Sequence, residues 1–399
     1  MRDPAVLSYI VCLEREVSAT PRSMALDQAI AVAEGKCGFE ASRIGHGAGQ
    51  PSIADIRLML LECGFRPGDA SPDMGCGAGS ATDAATDVSL APRTIAFGKW
   101  VEGIAFDGTS IWAAESGQRT LGRANLATGT VSDHPKVGRL PLDVLPDPVE
   151  PGVIALLGTD NKVVSVSGRG ALATIASLTA CPVQMVTLGI DIFVLGQPDC
   201  SSDKTIVTRV DGKVGLLVDS TNLGEWGQAL VAQGSDIWVG HVRGAALSIL
   251  DARTLNYGKL DLPGTEVWSL AADAKSVYAG GRVSGTDSGT IVRVDAGTWA
   301  PMASFSPTEL VLAMTLDNGY LVAVGDKGTI WVLAADDLSL KRRIDLGKGE
   351  FRTHTAMVVN GALLVSAQQV SGENGAVYVL DTYLSDLGLP ANAIANAAP

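Results

Sequence analysis

A short apolar strand, a tight polar turn and a second apolar strand recur seven times along the C-terminal three quarters of the chain. Successive second strands begin 39 to 45 residues apart. A period of about 42 residues built from strand-like runs indicates a β-propeller, because a four-stranded blade buries its faces only by stacking on its neighbours. The bulky pairs that open the second strands are Ile111-Trp112, Val153-Ile154, Ile192-Phe193, Ile237-Trp238, Val277-Tyr278, Tyr320-Leu321 and Leu363-Leu364.

The repeats carry turn residues at matching places. Asp107-Gly108 separates the first two strands of the first repeat, and Asp, Asn or Gly clusters recur at the same point in later repeats. Several third strands end in an aspartate that we expect to bond backbone N–H groups two residues further on. These aspartates are Asp211, Asp251, Asp295 and Asp381.

The last repeat lacks a fourth strand, because residues 385–399 are rich in Ala, Pro and Asn. The apolar run 94–98, just before the first inner strand, fits the gap and would leave no open edge. We therefore predict a mainly-β fold, with a seven-bladed propeller over residues 93–384 whose N-terminal strand closes the last blade. Residues 385–399 are predicted to be a flexible tail.

The region before the propeller differs in pattern. Apolar residues at spacings of three and four predict a small α-helical domain over residues 1–66. Residues 67–92 are rich in Gly, Ala, Asp and Pro and are interpreted as a linker. Two disulfides would stabilise so small a domain, with three connectivities open. The cysteines concerned are Cys12, Cys37, Cys63 and Cys76.

Cys181 and Cys200 lie at the two ends of one predicted hairpin, so we expect them to form a disulfide. Such a bond would contribute about 3 kcal/mol in the chain-entropy model. Disulfides persist in oxidising compartments, which indicates a periplasmic or secreted protein. No run resembling a signal peptide follows Met1, so a cytoplasmic protein with reduced thiols remains the alternative.

Composition excludes several classes of function. The chain has 30 Lys+Arg against 43 Asp+Glu and a net charge of -13, which argues against a nucleic-acid partner. The apolar runs are of strand length, so no membrane span is predicted. Motifs of serine hydrolases, zinc proteases and nucleotide-binding loops are absent from the sequence. We therefore expect no cofactor and no metal.

The recurring D/N-G turn, the Ile/Val-aromatic strand and the V/L-D-x-x-T third strand, as in Leu250-Asp251 to Thr254, resemble one superfamily. It comprises the seven-bladed YVTN, NHL and streptogramin-lyase propellers, and the resemblance covers roughly residues 93–384. Lyases of this group work with a histidine base and a divalent metal. The resemblance thus implies an alternative function, a metal-assisted lyase or hydrolase with His241 or His354 as base.

A second resemblance concerns the N-terminal region. The segment from Ile56 to Gly68, with the Gly-rich stretch that follows, is similar to the second half of a peptidoglycan-binding helical domain. It implies cell-wall binding as an alternative role for this region.

The segments that lead into the inner strands of a propeller gather around its central channel, which is the usual ligand site. Trp100, Trp226 and Trp268 occupy similar places there, and their indoles suit sugars, peptides or partner surfaces, or else fill the wedges between blades. We predict a non-enzymatic binding or scaffolding propeller for a protein, peptide or glycan partner. The predicted binding residues are Trp100, Glu102, Asp143, Gln184, Trp226, Gln228, Trp268, Arg352 and His354.

Overall fold

The structure is a computed structural model that describes residues 86–88, 90–200, 203–346, 351–369, 374–381 and 383–384. The predicted helical domain with its four cysteines and its cell-wall alternative lies outside these residues, as does the predicted tail. The backbone of Arg352 belongs to an inner strand, Phe351–Val359.

The described chain forms a ring of seven sheets, which we call blades 1 to 7. Two strands come before blade 1: β1 (Thr86–Val88) and β2 (Arg93–Lys99). Blade 1 contains β3 (Val101–Phe106), β4 (Ser110–Glu115), β5 (Thr120–Asn125) and β6 (Val131–Asp133). Blade 2 contains β7 (Pro141–Pro146), β8 (Gly152–Leu157), β9 (Lys162–Ser167) and β10 (Leu172–Ser177). Blade 3 contains β11 (Cys181–Leu188), β12 (Asp191–Gln197), β13 (Ile206–Asp211) and β14 (Leu217–Asn222).

The remaining four blades repeat this order. Blade 4 contains β15 (Gly227–Gln233), β16 (Asp236–His241), β17 (Ala246–Asp251) and β18 (Tyr257–Asp261). Blade 5 contains β19 (Thr265–Ala272), β20 (Ser276–Val283), β21 (Gly289–Asp295) and β22 (Pro301–Phe305). Blade 6 contains β23 (Val311–Asp317), β24 (Tyr320–Gly325), β25 (Thr329–Ala334) and β26 (Leu340–Asp345). Blade 7 contains β27 (Phe351–Val359), β28 (Ala362–Gln369) and β29 (Asn374–Leu380), together with β2.

Burial changes in steps from the channel outward. The inner strand β19 alternates between buried and half-buried residues, because one of its faces lines the channel. The second strand β16 is buried along almost its whole length, since blades cover both of its faces. The outer strand β14 is almost wholly exposed. Each inner strand contacts the inner strand of the next blade, and β27 contacts β3, so the ring is closed.

The hydrophobic core lies between the blades. Every neighbouring pair of blades shares one cluster of buried apolar residues. The cluster between blades 4 and 5, for example, joins Trp238 and Leu247 to Val267 and Val277. The second strands therefore carry the bulky pairs because these side chains fill the wedge between two blades.

The predicted closure of the ring is confirmed. Strand β2 pairs antiparallel with β29, and Ile95 lies opposite Val377. Glu115 of blade 1 is fully buried. Its Oε1 accepts a 2.6 Å hydrogen bond from Gly98 N, and this bond joins β2 to blade 1. Ring closure thus joins segments from the two ends of the propeller.

A fifth strand on blade 6 was not predicted. Thr86–Val88, within the stretch interpreted as a linker, pairs in parallel with the outer edge of β26. Three residues are too few for a period-2 pattern to identify them in the sequence. The unpaired N–H and C=O groups of an edge strand are what hold such an addition.

The predicted disulfide between Cys181 and Cys200 is present, with the Cα atoms 5.1 Å apart. Its position differs in detail from the expected symmetric hairpin. Cys181 lies opposite Gln197 in the ladder, and Cys200 lies beyond the end of β12. A β-bulge between Pro182 and Gln184 shifts the register, so the bond joins the start of β11 to the loop after β12.

Three of the four turn aspartates act as expected, whereas the fourth, Asp381, accepts from Arg93 Nη2 through its Oδ1. Asp211, Asp251 and Asp295 each accept a hydrogen bond from the backbone N–H two residues further on. Among the described residues no helix has the length and apolar character needed to cross a membrane.

Candidate functional site

Every inner strand carries a β-bulge near its start. A bulge leaves one residue without a partner in the ladder and turns its side chain away from the regular alternation. The bulges of β3 and β27 leave two such residues each, Glu102 with Gly103 and His354 with Thr355. The first unpaired residue of each blade gives a set of seven, which we call the bulge ring. They are Glu102, Leu142, Val183, Gln228, Trp268, Leu312 and His354.

The bulge ring surrounds a cavity of about 500 Å³ in the central channel. All seven of its residues line this cavity, together with residues that follow them on the same strands. The volume falls within the range of about 300–1,000 Å³ that is typical of small-molecule sites. Of the nine predicted binding residues, those that line the cavity are Glu102, Asp143, Gln184, Gln228, Trp268 and His354.

Three members of the ring were not predicted. Leu142, Val183 and Leu312 are apolar, whereas the predicted binding residues are all polar or aromatic. If the inner strands are aligned by the turns that follow them, these three residues take the same position as Gln228 and Trp268. The bulge that directs these side chains into the channel depends on pairing with the second strand. No local sequence pattern identifies such a bulge.

The three tryptophans are not structurally equivalent, contrary to the sequence interpretation. Trp100 and Trp226 correspond, because their carbonyl oxygens accept from the backbone N–H groups of Ser116 and Val242. Both lie two residues before the bulge, outside the residues that line the cavity. Trp268 occupies the bulge itself. Trp100 is 42% exposed, whereas the indole nitrogen of Trp226 is buried, so the expected wedge role suits only one of these two.

Glu102 and His354 meet across the seam between blades 1 and 7. His354 Nε2 lies 3.1 Å from Glu102 Oε2, and the side chains are 38% and 21% exposed, so both remain accessible from the channel. Ser116 Oγ donates to Glu102 Oε1 at 3.3 Å. The carbonyl oxygen of Glu102 accepts from Thr355 Oγ1 and Ser366 Oγ. These contacts hold one carboxylate and one imidazole at a fixed place on the channel wall.

Asp143 links blade 2 to blade 3. Its Oδ1 accepts from its neighbour Val144 N at 2.9 Å, and its Oδ2 accepts from Met185 N at 3.1 Å. Burial raises the pKa of Asp143 from the ordinary 3.8 to about 6, although both N–H donors oppose the shift. A Cβ on Gly103 would lie 2.8 Å from Asp143 Oδ1, so this glycine leaves room for the carboxylate. Asp143 therefore lies directly beside the strand that carries Glu102.

Gln184 makes the same kind of link one blade further on. Its Oε1 accepts a 2.7 Å hydrogen bond from Leu230 N in blade 4. This is the one hydrogen bond that the Gln184 side chain makes to the described residues, and the side-chain amide of Gln228 lines the same cavity. Amide groups on a cavity wall with unused hydrogen-bonding capacity are available to a ligand.

The wall of the cavity is acidic. Glu102, Asp143 and His354 are the titratable residues that line it, and no Lys or Arg is found among the described lining residues. Arg282 lies near Trp268, 6.0 Å from its ring, but its Nε donates to Glu266 at 2.6 Å. The remaining lining is mostly aliphatic.

The other histidines are placed differently. His241 ends β16 and is fully buried, with Nε2 2.8 Å from Ser248 Oγ, and burial lowers its pKa. It is not a lining residue of the channel cavity. His134 lies on the outer part of blade 1, with Nδ1 2.8 Å from Glu115 Oε2. The described part of the chain contains no group of three His, Cys, Asp or Glu residues that could hold a metal ion.

Comparisons with known proteins bear on the fold alone. No protein-family model matches the chain, and no curated protein matches it. Among solved structures, the chain is similar to the crystal structure of the computationally designed Ika8 protein, with a TM-score of 0.51 and 14% sequence identity. That similarity covers 74% of this chain and 99% of the designed one.

Proposed function

We propose that this protein is a non-enzymatic binding propeller that engages a peptide, protein or glycan ligand through its central channel. The observation that carries the proposal is the bulge ring, in which all seven blades place an irregular residue around one cavity. Regular strands suffice to build a ring, so seven bulges around one cavity are best explained by the side chains that they aim. Amides, a carboxylate pair and an indole among aliphatic walls are typical of binding sites.

The proposal is tested by filling the cavity. Leu142→Trp adds a bulky side chain inside the ring, and Leu172→Trp makes the same change on the exposed outer strand of the same blade. Purified protein is screened on glycan and peptide arrays, and the affinity of each hit is measured. We expect Leu142→Trp to weaken binding at least tenfold and Leu172→Trp to leave it unchanged. Hits that tolerate Leu142→Trp would contradict the proposal.

Export to the periplasm or the cell exterior is part of the proposal. Its support is the Cys181–Cys200 disulfide, since such bonds persist in oxidising compartments. Cell fractionation tests it. Protein confined to the cytoplasm with both thiols reduced would contradict it.

The second candidate function is a lyase or hydrolase of the streptogramin-lyase type. The observation that favours it is the Glu102–His354 pair on the channel wall, a carboxylate and an imidazole 3.1 Å apart. The donor set of the described residues does not fit the divalent metal of that group, so no step is assigned to a metal. A cyclic depsipeptide of the streptogramin class is the substrate to assay. Turnover that is lost in His354→Ala and kept in His134→Ala would favour the enzyme.

A further inference from the structure

We propose that the cavity inside the bulge ring binds a small organic cation, a primary ammonium group on an apolar body, with Glu102 and Asp143 as its anionic partners. This inference rests on the proposed function, because it names the ligand class of the same cavity. A free amine and the side chain of a peptide lysine share this chemistry.

The charge of the wall selects a cation. Two carboxylates line the cavity, and the described lining residues include no Lys or Arg; their one basic side chain is His354, 3.1 Å from Glu102. Arg282, the nearby guanidinium, is already bonded to Glu266. An anion would therefore be repelled by two carboxylates in a cavity whose aliphatic walls lower the local dielectric constant. The net charge of -13 on the whole chain favours the approach of a cation in the same way.

The two carboxylates line the same cavity from neighbouring inner strands, β3 and β7. Glu102 precedes Gly103, and the Cβ position of Gly103 is 2.8 Å from Asp143 Oδ1. An ammonium group has three N–H donors and needs three acceptors when it is desolvated. Glu102 and Asp143 supply two of them. The side-chain amide of Gln228 in blade 4 lines the same cavity and offers a further acceptor to a ligand that carries a second polar group.

The rest of the wall suits an apolar body. Leu142, Val183 and Leu312 of the bulge ring line the cavity together with Met185 and Met314. The ring of Trp268 adds an aromatic surface, which attracts both hydrocarbon and cationic groups. A ligand that is charged at one end and apolar at the other matches a wall that is acidic at blades 1 and 2 and aliphatic elsewhere.

The test compares three ligands of similar size by titration calorimetry at pH 7.5. Phenethylamine carries the ammonium group, 2-phenylethanol is its neutral counterpart and 3-phenylpropanoate is an anion. We expect phenethylamine to bind at least tenfold more tightly than the alcohol, and the anion not to bind. An acetylated, amidated Ala-Lys-Ala peptide forms the fourth arm. Binding of the peptide in preference to phenethylamine would assign the ammonium group to a lysine side chain.

Three variants locate the site. Glu102→Gln and Asp143→Asn are each expected to weaken phenethylamine binding at least tenfold. Asp219→Asn, on the exposed outer strand of blade 3, makes the same change in net charge and is expected to have no effect. Near-ultraviolet circular dichroism establishes that each variant is folded. Equal losses in Asp219→Asn and Asp143→Asn would overturn the proposal, because the effect would then be one of overall charge.

The pH dependence supplies an independent readout. The other titratable groups that line the cavity with Asp143 are Glu102 and His354, and the pKa of Asp143 is raised to about 6. Affinity for phenethylamine should therefore fall as the pH is lowered through 6, while the amine itself stays protonated. Asp143→Asn should flatten that fall. A wild-type affinity that is constant between pH 5 and pH 7.5 would contradict the role of Asp143.

Failure of this inference is distinct from failure of the proposed function. If the alcohol or the anion binds as tightly as the amine and Leu142→Trp abolishes that binding, the channel is a site for another ligand class. The proposal of a cationic ligand is then overturned, and the proposed binding function stands. If no array ligand and none of the four probes responds to Leu142→Trp, both fail.

Discussion

Asp107 illustrates how one side chain joins a turn to a buried aromatic residue. Its Oδ1 accepts from the backbone N–H groups of Thr109 and Ser110, and its Oδ2 accepts from Trp112 Nε1 at 2.7 Å. Asp273 and Tyr278 repeat the pairing in blade 5 at the same five-residue spacing. The buried ring is thereby satisfied from within its own hairpin, which a blade packed on both faces requires.

Blade 4 shows the same position without the aspartate. Gln233 stands where Asp107 and Asp273 stand in their blades, and its Nε2 donates to the carbonyl oxygens of Asp273 and Ala274. Trp238 Nε1 is consequently buried without a hydrogen-bond partner among the described residues. Blades 1 and 5 therefore have this hydrogen bond to the buried aromatic residue, and blade 4 lacks it.

Asp107→Asn should lower the free energy of unfolding by about 1–3 kcal/mol, because a buried indole N–H loses a charged acceptor. Trp112→Phe removes the donor, so the double variant should lose less than the sum of the two single losses. Urea denaturation of the four proteins measures this coupling. Strictly additive losses would show that the indole bond contributes nothing.

Asp143 gives the stability a pH dependence of known sign. Its pKa is raised in the folded protein from 3.8 to about 6, so the folded state binds the proton more tightly than the unfolded chain. This contribution is present below pH 4 and is lost as the pH rises through 6. The free energy of unfolding of the wild type should therefore fall, relative to that of Asp143→Asn, by up to about 3 kcal/mol over this range. Denaturation at pH 4.5, 5.5 and 7 measures the difference, and parallel curves would contradict it.

At the scale of elements, the hairpin of β11 and β12 is held at its open end by the Cys181–Cys200 disulfide. The bond lies at the channel side of blade 3, next to Val183 and Gln184 of the cavity wall. Reduction would free the start of β11 while the rest of the blade keeps its ladder with β13. The disulfide therefore supports the site as well as the fold.

Replacing both cysteines by serine should reduce the free energy of unfolding by about 3 kcal/mol, as the loop-closure entropy of the unfolded chain predicts. A reducing agent would act on all six cysteines, so the double variant isolates this bond. Chemical denaturation measures the loss, and hydrogen exchange should show weaker protection at residues 181–188 than elsewhere. A loss below 0.5 kcal/mol, with unchanged exchange, would contradict this role.

The sequence identified most elements of the ring. The second strands were recognisable because their bulky pairs must fill the wedges between blades, as Trp112 and Trp238 do. β1 was not, since three residues carry no periodicity and its place depends on a distant edge strand, where Thr86 pairs with Arg342. A local sequence pattern indicates whether a strand is buried on both faces. It does not indicate which distant strand completes the sheet.

At the scale of the whole molecule, β2 closes the ring by joining blade 7. Ile95 and Phe97 on this strand lie in the apolar cluster shared by blades 7 and 1, and Gly98 is bonded to Glu115. Without β2, blade 7 would expose an edge and part of its core. The closure is the point where the whole ring depends on one segment.

Deleting residues 93–99 should destabilise the protein far more than deleting residues 386–399. Ile95→Ala is the milder change and should cost about 2–5 kcal/mol, the usual loss for a buried isoleucine. Thermal and urea unfolding of the three variants measure the order. A tail deletion that matches Ile95→Ala in its effect would contradict the closure by β2.

The repeat of about 42 residues determined the number of blades, their strand order and the shared closing blade, because each blade must present apolar faces to two neighbours. Only the tertiary structure decided which residues face the channel. It placed Trp268 in the bulge ring and left Trp100 and Trp226 outside it, although all three lie near the start of an inner strand. A bulge forms where the register of two paired strands shifts. The direction of its side chain therefore depends on both strands and not on either segment alone.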